Sequence, residues 1–436
     1  MAAALFEAQA RTAIENGIVT WISSFQQALG TPAKKLHRGG THRTVAPGAT
    51  LERVRPHLRD MGITRIANVT GLDYLGIPVV MVTRPNSRAL SVSQGKGVDL
   101  DHAKASGVME AIESYHGERI ELPLKLASHA EMRRSHAVAD LASLPRLPNS
   151  RFHDNLRLLW IEGYDLMGRA PLWLPYECVH MNYTLPLPEG AACFASTSNG
   201  LASGNHLLEA ISSGICEVVE RDGDALWEIM SEDEAGAQRV DLSSIDDPQA
   251  RDILAKYEAA AIDVQLWETT SDAGIPSFRC HIYESEKNPH EPQGVFFGAG
   301  CHPARRIALL RSLTEAAQSR LTYIAGARDD IQRRDYRRPG DERPADWYRE
   351  MAKGRPATRK AQAAPNQESD LLNDDLAWEL ERLSAIGIKQ VIAVDLSMAA
   401  FGVPVVRIVI PGLESVPDDP SYSPGARVRA KLGQAA

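Results

Sequence analysis

The chain has 436 residues, of which 44% are hydrophobic, and its formal net charge is -8 at pH 7. A chain of this length can bury a large core, as one extended domain or as two, and the negative charge argues against a general nucleic-acid binder. Glu7 interrupts the apolar core that a signal peptide needs, and the longest apolar stretch, 74–82, is too short to span a membrane. We therefore expect a cytoplasmic protein with neither nucleic acid nor membrane among its partners.

The order of the predicted elements favours a mixed architecture. The first 45 residues predict a helix over 4–28 and a basic, Gly-containing connector, which together form an appendage to residues 46–436. Helical patterns recur at 49–60, 99–118, 206–222, 248–260, 303–324 and 370–386. They alternate with the strand-like runs IPVVMVTR, LRLLWIEGYDL, DVQLWET, SFRCHIYES, GVFFGAG, QVIAVDLS and VVRIVIPG. This alternation predicts an α+β (mixed α/β) fold.

The segment from 93 to 118 combines a glycine-rich turn with an acidic helix. Gly95, Lys96 and Gly97 predict a flexible turn that carries one cation. The helix that follows places Glu110 and Glu113 one turn apart on a common face. Two like charges at this spacing are unfavourable on an isolated helix, so the pair invites a divalent cation.

A second acidic helix is predicted within the segment 198–224. At about 100° per residue, Glu209, Glu217 and Glu220 lie at roughly 0°, 80° and 20° around its axis. Apolar residues occupy much of the remaining surface, which predicts a largely buried helix. Buried like charges raise one another's pKa and weaken the fold, so this arrangement indicates metal ions, Arg side chains or both. An amphipathic helix whose Glu face points to water is the alternative.

The two acidic pairs suggest Mg²⁺, which prefers oxygen ligands and binds through carboxylates together with substrate phosphates. No Walker loop supplies those phosphates, because Leu90 stands where the first Gly is needed and Gly97 follows Lys96 in place of Ser or Thr. A third helix contains Glu315, Gln318 and Arg320, which alone indicate nothing unusual.

Taken in this order, the three stretches resemble the YcaO family of ATP-dependent enzymes that activate a peptide carbonyl oxygen. The first family motif, S-x-x-x-E-x-x-E-R, is matched except that Ser114 replaces the Arg. The second motif, an Asn with a Glu four residues later and then E-x-x-E-R, is matched in full. The third motif is matched by the run E-x-x-Q-x-R. The matching residues are Ser106, Glu110, Glu113, Asn205, Glu209, Glu217, Glu220, Arg221, Glu315, Gln318 and Arg320.

The resemblance implies a role for each matching residue. It places the metal ligands at Glu110, Glu113, Glu217 and Glu220, and assigns catalysis to Glu110, Glu217 and Arg221. It places around ATP the residues Lys96, Ser106, Asn205, Glu209, Arg221, Glu315, Gln318 and Arg320. The tail after 414 departs from the Pro-rich end of azoline-forming members, and the run from 62 to 97 resembles the TfuA-associated, thioamide-forming branch.

In the reaction that the resemblance implies, a nucleophile adds to the amide carbon and the carbonyl oxygen takes the γ-phosphoryl group of ATP. Loss of phosphate then leaves a C=S or C=N bond in a ribosomally made peptide or protein. The implied partners are the peptide, a TfuA-like protein or sulfur donor, and a separate protein that recognises the leader peptide; a homodimer is also allowed. An azoline-forming cyclodehydratase, a carboxylate metalloenzyme and a non-catalytic ATP-binding accessory factor for protein methylthiolation remain as alternatives.

Two further features complete the predictions. Residues 331–360 hold ten Lys or Arg against five Asp or Glu, and 331–369 predicts a basic mobile loop; a lid or a docking segment is the functional alternative. The five cysteines form no C-x-x-C pair, which fits reduced thiols. Cys216 is expected in the core, and a nucleophilic Cys301–His302 pair is the weaker of two interpretations of that turn.

Overall fold

The computed structural model of the protein describes residues 22–433 except 24, 286–293, 332–344, 355, 418 and 420. In the described part of the chain the α-helices are α1 (25–30), α2 (Pro47–Val54), α3 (Leu100–Glu118), α4 (His129–Met132), α5 (Leu207–Glu228), α6 (Glu232–Ala237), α7 (Pro248–Ala259), α8 (Arg305–Ala325), α9 (Ala345–Gly354), α10 (Leu372–Ala385) and α11 (Ala426–Lys431). Its strands are β1 (Arg65–Asn68), β2 (Val79–Thr83), β3 (Val92–Lys96), β4 (Leu124–Ser128), β5 (Arg157–Asp165), β6 (Ala170–Pro175), β7 (Leu201–Ser203), β8 (Ile262–Glu268), β9 (Ser277–Glu284), β10 (Phe296–Cys301), β11 (Ile392–Asp395) and β12 (Val405–Val409).

The described strands form three antiparallel sheets. One has the order β1-β2-β3 and another β10-β9-β8, while the largest has the order β4-β5-β11-β12-β7, with β6 paired to β5. Apolar side chains of α3 and α5 both pack on the largest sheet. Those of α3 belong to one hydrophobic core cluster and those of α5 to another. The predicted strand runs and the helices at 99–118, 248–260, 303–324 and 370–386 agree with this structure to within two residues at each end, except that the run VVRIVIPG continues three residues beyond the end of β12. The predicted helix at 4–28 lies mainly outside the described residues.

Two strand–helix pairs approach unusually closely through glycine. A Cβ atom on Gly95 of β3 would overlap the backbone of α3 at Ala103 and Gly107. A Cβ atom on Gly298 of β10 would likewise overlap the backbone of α8. The prediction of a flexible turn at 95–97 is therefore wrong for Gly95 and Lys96, because they belong to a strand and the missing side chain of Gly95 allows packing rather than freedom.

The connector after α1 is tied to the distant helix α10. The Lys35 backbone N–H donates to Asp370 O (3.0 Å), and the Leu372 N–H donates to Ala33 O (2.9 Å). Lys35 Nζ also lies 2.5 Å from Asp375 Oδ2, and both side chains are almost fully buried. This part of the predicted appendage thus packs into the same core as residues 46–436.

The structure describes only part of the basic segment predicted as a loop at 331–369. Residues 345–354 form α9, in which Tyr348 is fully buried, and Arg359 pairs with Glu268 of β8. In the described part, helix and ordered packing thus replace the predicted loop. Arg333 and Arg334 of this segment lie outside the described residues. Within the described chain, no helix is both long and apolar enough to cross a membrane.

Candidate functional site

Four carboxylates from α3 and α5 form the centre of the candidate site. Glu110 Oε1 accepts a hydrogen bond from the Gln94 N–H (3.1 Å), which fixes it against β3. Glu113 Oε1 accepts from both the N–H and the hydroxyl of Ser203 (2.8 and 2.7 Å), at the end of β7. Glu217 and Glu220 come from α5. The two acidic helices therefore meet, as the sequence predicts.

The pKa values of these groups show that they act on one another. Burial raises the pKa of Glu113 to about 8, with further increases from the charges of Glu110 and Glu217. Burial raises the pKa of Glu217 to about 7, and Glu220 adds to the shift although Arg221 opposes it. Glu110 is solvent-accessible, yet desolvation by the surrounding protein still raises its pKa. Burial is the largest cause of each shift and the neighbouring carboxylates add to it, so a Glu face of α5 turned fully to water is ruled out.

Mg²⁺ fits the chemistry of this cluster. All four donors are carboxylates, and Glu220 Oε2 is buried without a hydrogen-bond partner among the described residues. In that same part of the chain, however, no three His, Cys, Asp or Glu side chains are arranged to hold a metal ion by themselves. Mg²⁺ usually completes its octahedral shell with water and substrate phosphates, so an incomplete protein set is the arrangement expected for a metal that arrives with a nucleotide.

A cationic side faces the carboxylates. Lys96 Nζ forms an ion pair with Glu315 Oε2, which joins β3 to α8, and the Lys96 N–H donates to Ser106 Oγ (3.4 Å). Burial alone would raise the pKa of Glu315, but Lys96 and Arg221 outweigh it and hold that pKa below its ordinary value. Arg221 lies 3.6 Å from Glu220. The structure thus brings Lys96, Ser106, Glu315 and Arg221 to the predicted site.

Asn205 precedes α5 and Glu209 lies in its first turn, and their hydrogen bonds fix the N-terminus of this helix. Glu209 Oε1 accepts from the N–H and hydroxyl of Thr44 (2.5 and 2.6 Å), while Oε2 accepts from the Asn205 N–H (2.8 Å). Asn205 Oδ1 in turn accepts from the Thr50 hydroxyl (3.1 Å). Glu209 is therefore saturated by donors, which distinguishes it from Glu217 and Glu220 on the same helix.

Gln318 and Arg320 occupy different surroundings. Gln318 Nε2 donates to Gln94 Oε1 (3.4 Å), next to the backbone N–H that holds Glu110. Arg320, in contrast, is 1% exposed and pairs with Asp73 (2.8 Å) and Glu284. Glu284 is the last residue of β9 and Asp73 lies between β1 and β2, so the geometry gives Arg320 a structural role and does not bring it to the carboxylate cluster.

Sequence reasoning missed two further cations. Arg311 lies one turn before Glu315 on α8, and although burial opposes it, the charges of Glu220 and Glu315 raise its pKa. Its i,i+4 spacing from Glu315 is a signal that the sequence contains. Arg43 Nη1 donates to Ser213 Oγ (3.1 Å), one turn from Glu209 and one turn from Glu217. Nothing local to the connector indicates that contact.

All five cysteines are buried and free. Cys216 packs among apolar residues of α5, which confirms the prediction of a core residue. Cys301 is the last residue of β10, and burial holds the pKa of the neighbouring His302 well below its ordinary value. A buried thiol without access to substrate does not support the nucleophilic interpretation.

Residues 94–414 match the family described as YcaO cyclodehydratase, ATP- and Mg²⁺-binding. The chain belongs to the YcaO family. It is also 36% identical over 376 residues to an uncharacterized protein in the tfuA 3' region of Rhizobium leguminosarum bv. trifolii, covering 85% of this chain and 88% of that protein. Members of this family are ATP-dependent peptide-modifying enzymes.

Two solved structures share the YcaO fold. The YcaO from Methanopyrus kandleri bound with AMPPCP and Mg²⁺ has a TM-score of 0.70 and 23% identity, over 90% of this chain and 98% of that one. A heterocyclase in complex with substrate and cofactor has a TM-score of 0.73 and 24% identity, over 92% of this chain but 56% of that one. The predicted family, its α+β fold and its cofactors ATP and Mg²⁺ are confirmed, whereas the roles of individual side chains stay predictions.

The raised pKa values predict how the stability of the metal-free protein depends on pH. Between the ordinary carboxyl pKa and the folded-state values, the unfolded chain loses the protons that Glu113 and Glu217 retain in the folded state. The unfolded state then binds fewer protons, so the free energy of unfolding falls as pH rises from about 5 to about 8 and levels off above the folded-state values. Thermal denaturation with a chelator present should show this fall.

Glu217→Gln should flatten that fall, because the amide cannot ionise. Glu381→Gln on an exposed position of α10 is the matched control and should leave the slope unchanged. Equal slopes for both variants and the parent would show that Glu217 does not contribute to the pH dependence of the free energy of unfolding.

Proposed function

We propose that this protein uses ATP and Mg²⁺ to activate a backbone amide of a peptide or protein and converts it to a thioamide. Sulfide adds to the amide carbon, the carbonyl oxygen takes the γ-phosphoryl group, and phosphate leaves with that oxygen as the C=S bond forms. With hydrosulfide as the nucleophile, the products are the thioamide, ADP and hydrogen phosphate, which carries the former amide oxygen and the proton of the hydrosulfide. One observation supports the ATP-dependent step. Carboxylates of α3 and α5 with raised pKa values lie near the cations Lys96 of β3 and Arg311 of α8.

The site residues would act by charge and position. When bound, Mg²⁺ and ATP supply the transferable phosphoryl group and neutralise the charge that develops on it. Glu110, Glu113, Glu217 and Glu220 would hold the metal. Lys96 and the α8 cation Arg311, whose charges both lower the pKa of Glu315, would donate hydrogen bonds to the phosphate oxygens of the nucleotide.

One observation favours thioamide formation over internal cyclisation. The relative in the tfuA 3' region aligns with most of this chain and supports the TfuA-associated branch. The cysteines of this chain are buried, so the chain offers no accessible thiol and the sulfur must come from an external donor or a partner. A TfuA-like partner and a separate leader-recognition protein are part of the proposal, and a homodimer is compatible with it.

Intact-mass analysis tests the proposal. A substrate peptide treated with the enzyme, ATP, Mg²⁺, sulfide and the TfuA-like partner should gain about 16 Da as oxygen is replaced by sulfur. Azoline formation, the second candidate, is supported by the family description as a cyclodehydratase and would lose about 18 Da. That loss would assign the nucleophile to a Cys, Ser or Thr of the substrate.

Omitting ATP separates the remaining alternatives. A hydrolytic carboxylate metalloenzyme would act without nucleotide, and an accessory factor for protein methylthiolation would bind ATP without changing the peptide. Thioamide formation that proceeds unchanged without ATP would overturn the proposal.

A further inference from the structure

Arg407 is a buried cation with one donor left over. It lies in β12, between β11 and β7 of the largest sheet, and is 2% exposed. Its Nε donates to Cys178 O (3.1 Å), and its Nη2 donates to Thr197 O. The remaining nitrogen, Nη1, is buried and has no hydrogen-bond partner in the described part of the chain. Two hydrogen bonds thus fix the guanidinium plane, while the N–H groups of Nη1 have no partner among the described residues. Leaving buried donors unpaired costs free energy unless a nearby negative charge compensates them.

The register of the sheet directs Arg407 towards α3. Arg407 is the Cα partner of Leu201 in β7, and directly paired residues of antiparallel strands place their side chains on the same face. Leu201 lies against α3, because a Cβ atom on Gly117 would stand 3.1 Å from its side chain. Ser114 precedes Gly117 by one helical turn and therefore lies on the same side of α3.

The charge around Arg407 belongs to the carboxylate cluster. Arg407 is among the cations that lower the pKa of Glu217, against the larger effect of burial. Burial lowers the pKa of Arg407 itself, and Tyr183 and Glu217 oppose that shift. The guanidinium nevertheless stays protonated, because Arg does not lose its proton in folded proteins. The charge of Arg407 thus acts on Glu217 in addition to that of Arg221, while Nη1 of Arg407 has no hydrogen-bond partner in the described part of the chain.

We infer that Arg407 supplies from the sheet the cation that α3 lacks at Ser114, and that it is a positioning residue which holds Glu217 for the bound metal and nucleotide. This inference rests on the proposed ATP site. Arg221 is less suited to the task, because Glu220 (3.6 Å) and Asp224 (4.0 Å) already compete for its guanidinium.

Calorimetric titration of Mg²⁺-ATP tests the inference without requiring turnover. Arg407→Gln should weaken the affinity at least tenfold, and adding Ser114→Arg to that variant should restore most of the loss, because the new guanidinium projects from α3 towards the same region. In the parent protein, Ser114→Arg should change the affinity less than tenfold. Arg407→Lys, which keeps the charge, should bind more tightly than Arg407→Gln.

The matched control is Arg221→Gln, which Ser114→Arg should not rescue. If Arg407→Gln does not fold, the same rescue is measured on Arg407→Lys, whose melting temperature reports folding. Failure of Ser114→Arg to rescue either Arg407 variant, or equal rescue of Arg221→Gln, would show that Arg407 serves only the loops at 178 and 197. Absence of peptide modification by the parent protein would overturn the proposed function while these affinities still decide the role of Arg407.

Discussion

Glu217→Gln is expected to abolish ATP turnover while leaving the fold intact. The amide keeps the size of the carboxyl group but removes the charge from a position that Glu113 and Glu220 already make crowded with anions. A metal ion bound there loses a ligand, and the charge that develops on the phosphoryl group loses its compensation. We expect kcat to fall by at least about 100-fold. Steady-state ATP hydrolysis with a substrate peptide measures the loss.

Glu110→Gln should behave in the same way, since Glu110 is the accessible member of the other pair. Glu381→Gln, on the exposed side of α10, is the control for a change of the same chemistry elsewhere. Circular dichroism should show the same helix content in all three variants. If calorimetry finds undiminished Mg²⁺-ATP affinity in both Glu217→Gln and Glu110→Gln, the metal assignment is wrong.

Lys35→Met is expected to destabilise the protein by about 3–5 kcal/mol. The side chains of Lys35 and Asp375 are 0% and 1% exposed, and their charged atoms are 2.5 Å apart. Removing the ammonium leaves Asp375 as a buried anion, close to Glu379, with the Ser369 hydroxyl (3.0 Å) as a remaining hydrogen-bond donor. Urea denaturation followed by fluorescence measures the change in the free energy of unfolding.

The neighbouring Lys34 gives a matched control, because it is exposed and Lys34→Met removes the same charge from the same segment. This control should change stability by less than about 0.5 kcal/mol. The double variant Lys35→Met/Asp375→Leu should recover much of the loss, since replacing both partners leaves no buried charge. Equal stabilities for Lys35→Met and Lys34→Met would mean that the connector is the loosely attached appendage that the sequence suggested.

The acidic helices were accessible to sequence reasoning because their signal is local. Helical periodicity alone places Glu110 beside Glu113 and Glu217 beside Glu220, and the structure agrees. The C-terminal end of α5 was not accessible: the prediction stopped at 222, whereas the helix continues to Glu228. Its extension contains buried Asp224, and Asp222, the last predicted residue, is held by Arg427 (2.8 Å), about two hundred positions away.

Other parts of the site depend on contacts that no local pattern contains. Gly95 suggested freedom in the sequence, but it is required by a helix that packs against its backbone. Arg320 matched a motif, yet its partners Asp73 and Glu284 come from other segments. The two hydrogen bonds from Thr44 to Glu209 join residues 165 positions apart. Motif spacing thus located the residues, while their electrostatic roles required the tertiary structure.

The pairing of the connector with α10 also constrains the order of events during synthesis. Lys35 and Asp375 are separated by 340 positions, and the strand-like contact between Lys34 and Leu371 spans nearly the same distance. Contacts of such high sequence separation form late, because a long loop must close before they contribute. A nascent chain that has not yet exposed α10 outside the ribosome cannot anchor the connector, and Thr44 then lacks a fixed position from which to hold Glu209. We therefore expect the candidate nucleotide site to be complete only near the end of translation, after both acidic helices have already been made.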